Sequence, residues 1–369
     1  MKIASVEVFK MTVPMRVKRR VTFHGGVMKV DEAKNVVVLI HSDNGITGVG
    51  STSSQPLYLG MTQETIAEAA KYLAPLVIGE NPCALERINN LMDWSLPGNE
   101  AAKCAIDLAL HDLLGKAFDQ PAYVLLGGKQ RDDFITTISV NTDEPDVMAA
   151  SAMECYDQGY RGLEVQLGVA AGSGFRKDVE RVRMVRESVG WEVEIVADAH
   201  RNWTPKEAIS ALSSLEPFDI VVESPTSGGP VAMAEVRRET KVPIIADEDC
   251  HTVQHAVDII RLQAADILCI KPIKAGGLTK ARRIAVLAES FGLRCRVDGL
   301  PGESKLSNTA SAHLVLTLRN PVGCGVAHFT RLGEDFVVEG GLSLAHGRVS
   351  LPDRPGLGVE VSGDALRRA

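Results

Sequence analysis

Pro243-Ile-Ile-Ala-Asp-Glu-Asp-Cys250 (PIIADEDC) passes without a break from apolar residues into three consecutive acids. The apolar half suits a strand buried on both faces. Three adjoining carboxylates at its mouth repel one another, so they need a counter-ion or must splay into water. The pattern around them is rhythmic. Apolar runs at 135–140 (ITTISV), 162–168 (GLEVQLG), 193–198 (VEIVAD), 219–224 (DIVVES), 242–247 (VPIIAD), 266–271 (DILCIK) and 293–298 (LRCRVD) alternate with helical faces such as Val182/Val185/Val189 and Ile284/Ala285/Ala288. Such units imply parallel strands joined by crossover helices. Their number favours a closed (β/α) barrel over an open sheet, with an eighth strand faintly marked near Gly323–His328.

The barrel is expected to occupy residues 129–328, so the chain is an α/β protein with additions at both ends. Residues 1–128 read as an α+β capping domain. It has strands at 3–13 and 36–41, a hairpin turn at Ser42-Asp-Asn-Gly45, a helix capped by Thr62 and a second helix from about Asn99 to Phe118. Residues 329–369 read as a segment of turns and short strands that returns to that domain.

Bulk composition excludes several functions. The chain has 369 residues and a net charge of −7, which argues against a nucleic-acid partner; Lys18-Arg-Arg20 is the one basic cluster that stands out, and it reads as a solvated face. Its 7 cysteines are scattered with no Cys-x-x-Cys pair, the pattern of reduced thiols in a cytoplasm. No apolar run approaches the length of a membrane span, and the N-terminus has no signal-peptide core.

The strand ends carry the chemistry. Asp198, Glu223, Asp247 and Lys271 follow one another at intervals of 25, 24 and 24 residues, about one strand plus helix plus loops. Four consecutive strands thus deliver a polar group to the carboxyl-end rim, where barrel active sites lie. One acid after a strand is commonly a helix cap; three acids and a lysine in phase are not explained by capping. Three carboxylates without His or Cys form an all-oxygen donor set, for which Mg²⁺ is the first choice. Glu248 is expected beside that set, near Lys271, and Asp249 is expected to cap the next helix. Next to a divalent cation the Lys271 ammonium is disfavoured, so its pKa should fall and its amine can act as a base. A plain salt bridge to Glu248 or Asp247 is the alternative.

These pieces (VADAH, VVESP, IIADED, IKPIKAGG, the GES at Glu303 and the closing LPDRPGLGVEV) resemble the enolase superfamily, specifically the mandelate racemase/muconate lactonizing enzyme group and its muconate cycloisomerase-like branch. The resemblance spans nearly the whole chain. It implies Mg²⁺-assisted removal of the proton α to a carboxylate through an enediolate, a small-molecule carboxylate substrate and a homo-oligomer. It also implies cap loops at 15–30 and 51–60 closing over the substrate, with Phe23, His24 and Tyr58 as candidate contacts.

The chain departs from that family at the second strand, where Lys-x-Lys is usual. Here the segment reads Leu163-Glu164-Val165-Gln166-Leu167, and the Gln166 amide cannot accept a proton at neutral pH. Proton transfer between two faces needs two bases, so losing one favours abstraction by Lys271 followed by β-elimination, as in a dehydratase-like lyase. Glu303 and His200 lead the candidates for proton donor; Glu164, Asp298 and Lys305 are others, and Glu164 and Gln166 are also candidate substrate contacts. Racemisation, epimerisation and cycloisomerisation are alternatives within the family. A Schiff-base aldolase using Lys271 and a non-catalytic carboxylate-binding member are the alternatives outside that chemistry.

Overall fold

The computed structural model describes residues 1–23, 26–168 and 174–367, without the side chains of 18–29. The chain opens with an antiparallel sheet of β1 (Ile3–Phe23), β2 (Gly26–Ser42) and β3 (Thr47–Ser53), in that order. The hairpin turn falls where Asn44-Gly45 places it, with Gly45 at φ 84°. Helix Gln63–Val77 starts at Thr62, whose hydroxyl and Thr65 form a reciprocal cap. Helix Glu100–Ala117 is buried along almost its whole length because it lies between this sheet and the barrel. Two glycines on β3 permit its approach. A Cβ on Gly48 would stand 2.1 Å from the Ala109 carbonyl oxygen, and one on Gly50 would stand 2.1 Å from that of Ala105. Two residues along the strand thus match four along the helix, and any side chain would part the layers.

Short strand β4 (Asp133–Ile135) precedes a parallel sheet of seven strands in sequence order. These are β5 (Thr137–Val140), β6 (Gly162–Gln166), β7 (Glu194–Asp198), β8 (Val221–Glu223), β9 (Ile244–Ala246), β10 (Ile267–Ile270) and β11 (Arg294–Val297). The run at 135–140 is therefore two strands rather than one. The eighth strand expected near 323–328 is also not a regular strand. Residues 321–325 instead close the ring by single bonds to both neighbours. Val322 N donates to Cys295 O (3.0 Å), Gly325 N to Val297 O (3.0 Å), and Thr137 N to Cys324 O (2.7 Å). The reason lies in the crowded barrel interior: a Cβ on Gly325 would stand 2.1 Å from Asp298 Oδ1, and one on Gly323 would stand 2.6 Å from Val196 Cγ2 and 3.1 Å from the Arg296 guanidinium. Val196 of β7, Arg296 of β11 and Asp298 just after it fill the space that an eighth strand's side chains would take.

Under the rim Val196, Ile245, Ile267, Cys269 and Val322 form an apolar inner cluster. Each fully buried aliphatic side chain there contributes about 1.5–3 kcal/mol. The C-terminal segment supplies β12 (Val337–Gly340), β13 (Ser343–Ala345), β14 (Arg348–Ser350) and β15 (Val359–Val361). β14 pairs with β4, and the buried Asp112 carboxylate of the long cap helix accepts from both Leu357 N (2.8 Å) and Val49 N (2.9 Å). Among the described residues no helix is long and apolar enough to cross a membrane.

Candidate active site

The strand ends meet as their spacing requires. Gln166, Asp198 and Glu223 end β6, β7 and β8 and are register partners in turn. Asp247, Lys271 and Asp298 each follow directly on the last residue of β9, β10 and β11. All six are buried. The Lys271 ammonium lies 2.7 Å from Asp247 Oδ2 and 3.3 Å from Asp298 Oδ2. A second ammonium, that of Lys274 in the short helix Pro272–Ala275, donates to the Asp247 carboxylate and to its backbone carbonyl (2.6 Å).

Arg296 is entirely buried, and its guanidinium gathers the remaining acids. It lies 2.5 Å from Glu164 Oε2, 3.1 Å from Glu223 Oε2 and 3.3 Å from Asp298 Oδ2, and it donates to the Gly323 carbonyl. His328 stands 3.5 Å from the other Asp298 oxygen. Among the described residues, Glu223, Asp247 and Cys269 bring ligand atoms within 4.8 Å of one another. Asp198 stands outside that set: its Oδ2 is 3.0 Å from His200 Nε2, and its Oδ1 accepts from His200 N. His200 and Arg201 have φ of 46° and 58°, two consecutive left-handed residues that fold the loop back over Asp198. Such conformations are sparsely populated and are held by their surroundings.

Charge states follow from burial and neighbours. Burial pushes Asp198 well above the usual carboxylate range, with the charges of Glu248 and Glu164 adding to it. Burial also holds Glu223 well above that range, against the pull of Arg296. Asp247 goes the other way: burial opposes ionisation, but Lys271 and Lys274 outweigh it and hold the carboxyl well below its range. Lys271 is shifted by the same contacts seen from the other side. Burial acts downward, yet Asp247 and Asp298 outweigh it and raise the ammonium well above its ordinary value. Glu303 is pushed up to about 8, by burial first and then by the charge of Asp298.

Other sequence expectations divide. Glu248 lies beside the set on its Asp198 side, where its charge raises that carboxyl, and its carboxylate accepts from the Ser224 hydroxyl. Asp249 does not cap the helix Val253–Leu262. Thr252 does, accepting from His255 N at 3.1 Å, while Asp249 pairs with Arg201. Glu303 accepts from Asn308 Nδ2 (2.8 Å) at the start of helix Lys305–Leu316. Gln166 Nε2 donates to Glu164 Oε1 at 3.3 Å. Tyr58 reaches over the rim, its ring centroid 6.4 Å from that of His200. The side chain of Phe23 and the whole of His24 lie outside the described residues, as do the side chains of Lys18, Arg19 and Arg20. Sequence reasoning missed Arg296, Lys274 and Cys269. The signal for two of them was present: Arg296 precedes Asp298 by two residues and Cys269 precedes Lys271 by two, so each shares the inward parity of its strand. A cavity of about 480 Å³ opens between cap and barrel beside Ala33, Lys34, Gln55 and Pro301, where Gln55 Nε2 donates to Pro301 O (2.7 Å).

Glu223 and Asp247 supply oxygen donors that fit a hard divalent cation, with Asp198 ending the adjacent strand. Three buried carboxylates end adjacent strands, and Glu223 Oε2, though beside Arg296, has no hydrogen-bond partner.

Comparison with known proteins finds relatives over nearly the whole chain. The family described as mandelate racemase/muconate lactonizing enzyme, N-terminal domain, matches residues 6–127, and that described as enolase C-terminal domain-like matches residues 147–365. A hydrophobic dipeptide epimerase of Enterococcus faecalis is 32% identical over 347 residues, covering 93% of this chain and 96% of the relative. A cis-3-hydroxy-L-proline dehydratase of Roseibium aggregatum is 30% identical over 369 residues, covering 99% and 98%. The solved structure of the E. faecalis dipeptide epimerase complexed with Mg and the dipeptide L-Leu-L-Tyr superposes with a TM-score of 0.90 at 31% identity, covering 98% of this chain and 100% of that one.

Proposed function

Because the chain belongs to the mandelate racemase/muconate lactonizing enzyme group of the enolase superfamily, we propose that it removes the proton α to the carboxylate of a small acid and then expels a β-substituent, as a Mg²⁺-dependent dehydratase-like lyase. The observation that carries this reading is the asymmetry of the rim. Lys271 is the one buried amine of the candidate base pair, and Gln166 holds the second-strand position with an amide bonded to Glu164.

Asp198, Glu223 and Asp247 would hold Mg²⁺, which when bound supplies a Lewis acid for the charge that develops on the substrate carboxylate. The chain's own groups do the rest. Lys271 takes the α-proton as the neutral amine, the form that a divalent cation held by Asp247 would favour, and Asp298, 3.3 Å away, stabilises and orients the resulting ammonium. Glu303 is neutral below about pH 8 and is the proton donor to a departing hydroxyl. Gln166 hydrogen-bonds polar groups of the substrate on the side opposite Lys271. Tyr58 and the cap cavity shape the entrance and exclude water.

A second reading, epimerisation or racemisation, is favoured by relatives such as the E. faecalis epimerase. It requires a second base opposite Lys271, a role left to Glu164 or His200. One experiment separates the two: incubation of hydroxy-, amino- and imino-acid libraries in D₂O with Mg²⁺. The lyase reading expects α-proton exchange and a dehydrated product in the wild type, and neither in Lys271→Ala. Deuterated product of inverted configuration without elimination would replace it with the epimerase reading. Undiminished exchange in Lys271→Ala would remove that residue from the chemistry.

A further inference from the structure

We propose that the centre contains a second, softer cation site that overlaps the carboxylate set and uses Cys269 as a ligand, binding a thiophilic ion of the Zn²⁺ or Cd²⁺ type. Cys269 is inward-facing on β10 and fully buried, and its sulfur lies with the Glu223 and Asp247 oxygens inside a 4.8 Å group. Tetrahedral zinc bonds to oxygen and sulfur are about 2.0–2.3 Å long, so these donors need close in by about an ångström at most. Glu223 is 1% exposed, and its Oε2 faces Arg296 Nε at 3.1 Å without a hydrogen bond. A carboxylate has about four acceptor positions, so Glu223 keeps lone pairs for a cation beside that ion pair.

Depth separates the two sites. The sulfur belongs to the apolar cluster of Val196, Ile245, Ile267 and Val322, one layer below the rim. Mg²⁺ gives up its water reluctantly and takes oxygen ligands, so it stays at the wetter rim; a soft ion accepts thiolate and fewer waters. The thiol proton passes to solvent as the sulfur–metal bond forms. Lys274 need not leave with the Asp247 carboxylate, because it also donates to the backbone carbonyls of Asp247 (2.6 Å) and Cys269 (3.3 Å). Glu223 and Asp247 are shared, so the two ions exclude one another and a thiophilic ion blocks Mg²⁺. The inference shares these carboxylates with the function proposed above but requires no turnover.

The test is titration of EDTA-treated protein with Cd²⁺, read by thiolate-to-metal charge-transfer absorption in the ultraviolet. A band saturating at one equivalent is expected in the wild type, lost in both Cys269→Ala and Cys269→Ser, and retained in Asp198→Asn. Persistence of the full band in the Cys269 variants would assign it to another thiol, such as the exposed Cys83, and overturn the proposal. So would its loss in Asp198→Asn, which would make the two sites one. Should neither Cys269 variant fold, X-ray absorption on the wild type loaded with one equivalent of Zn²⁺ decides. A sulfur neighbour at about 2.3 Å supports the site, and a shell of only oxygen and nitrogen ends it.

Discussion

Arg296 and Glu164 face each other at 2.5 Å one layer below the barrel rim, a buried ion pair joining strands whose paired residues lie 132 positions apart in sequence. Of the two second-strand positions where lysine is usual in the family, the first is thus acidic and the second is Gln166, and a cation enters instead from the seventh strand. Arg296→Met would leave Glu164 facing an apolar side chain and deprive Asp298 of one cation. Removing one partner of a buried pair costs about 3–5 kcal/mol. Urea unfolding should show a loss of that order, and the double variant Arg296→Met/Glu164→Gln should lose less than the single one. Equal losses would mean that the pair is not coupled.

Glu303 gives a prediction with a sign. Its carboxyl is raised from 4.5 to about 8, so the folded state favours the neutral form. The stability this confers is full below about pH 4.5 and is lost as pH climbs through about 8. Wild-type thermal stability should therefore fall relative to Glu303→Gln across that window. If Glu303 is the proton donor, elimination should decline above about pH 8, while α-proton exchange by Glu303→Gln survives.

Mg²⁺ binding should appear as stabilisation of the folded state. At one hundred times its dissociation constant a ligand adds about 2.7 kcal/mol. Calorimetry should show a rise in Tm with Mg²⁺ that EDTA reverses and that Asp198→Asn and Glu223→Gln each reduce. The same shift in those variants as in the wild type would remove the two carboxylates from the ligand set.

Gly50 tests the cap. A methyl at this position would fall 2.1 Å from the Ala105 carbonyl oxygen, a backbone atom that cannot step aside alone. Gly50→Ala should cost about 1–3 kcal/mol through over-packing, measured by denaturant unfolding. A neutral outcome would show that the sheet and the long helix can separate without penalty.

Much of the fold was legible along the chain because strand and helix periodicities are local. The strand-end residues Asp198, Glu223, Asp247 and Lys271 were legible for the same reason: residues one βα unit apart reach one rim wherever the barrel closes. Chain-local cues failed where a partner came from elsewhere. Asp249 sits where a cap is expected, yet Arg201 from the neighbouring loop takes it and Thr252 caps the helix instead. The eighth strand failed as a regular element because Val196, Arg296 and Asp298 occupy its interior space.

The sequence by itself determined the α/β barrel, the capping sheet and which side chains arrive at the rim, since these follow from alternation and spacing along one strand at a time. Only the tertiary structure decided which charges meet. Arg296 with Glu164 and Glu223, Lys274 with Asp247, and Cys269 with the carboxylates are contacts across the curvature of a closed ring. Their distances are set by the radius and stagger of the barrel, a property of all its strands together.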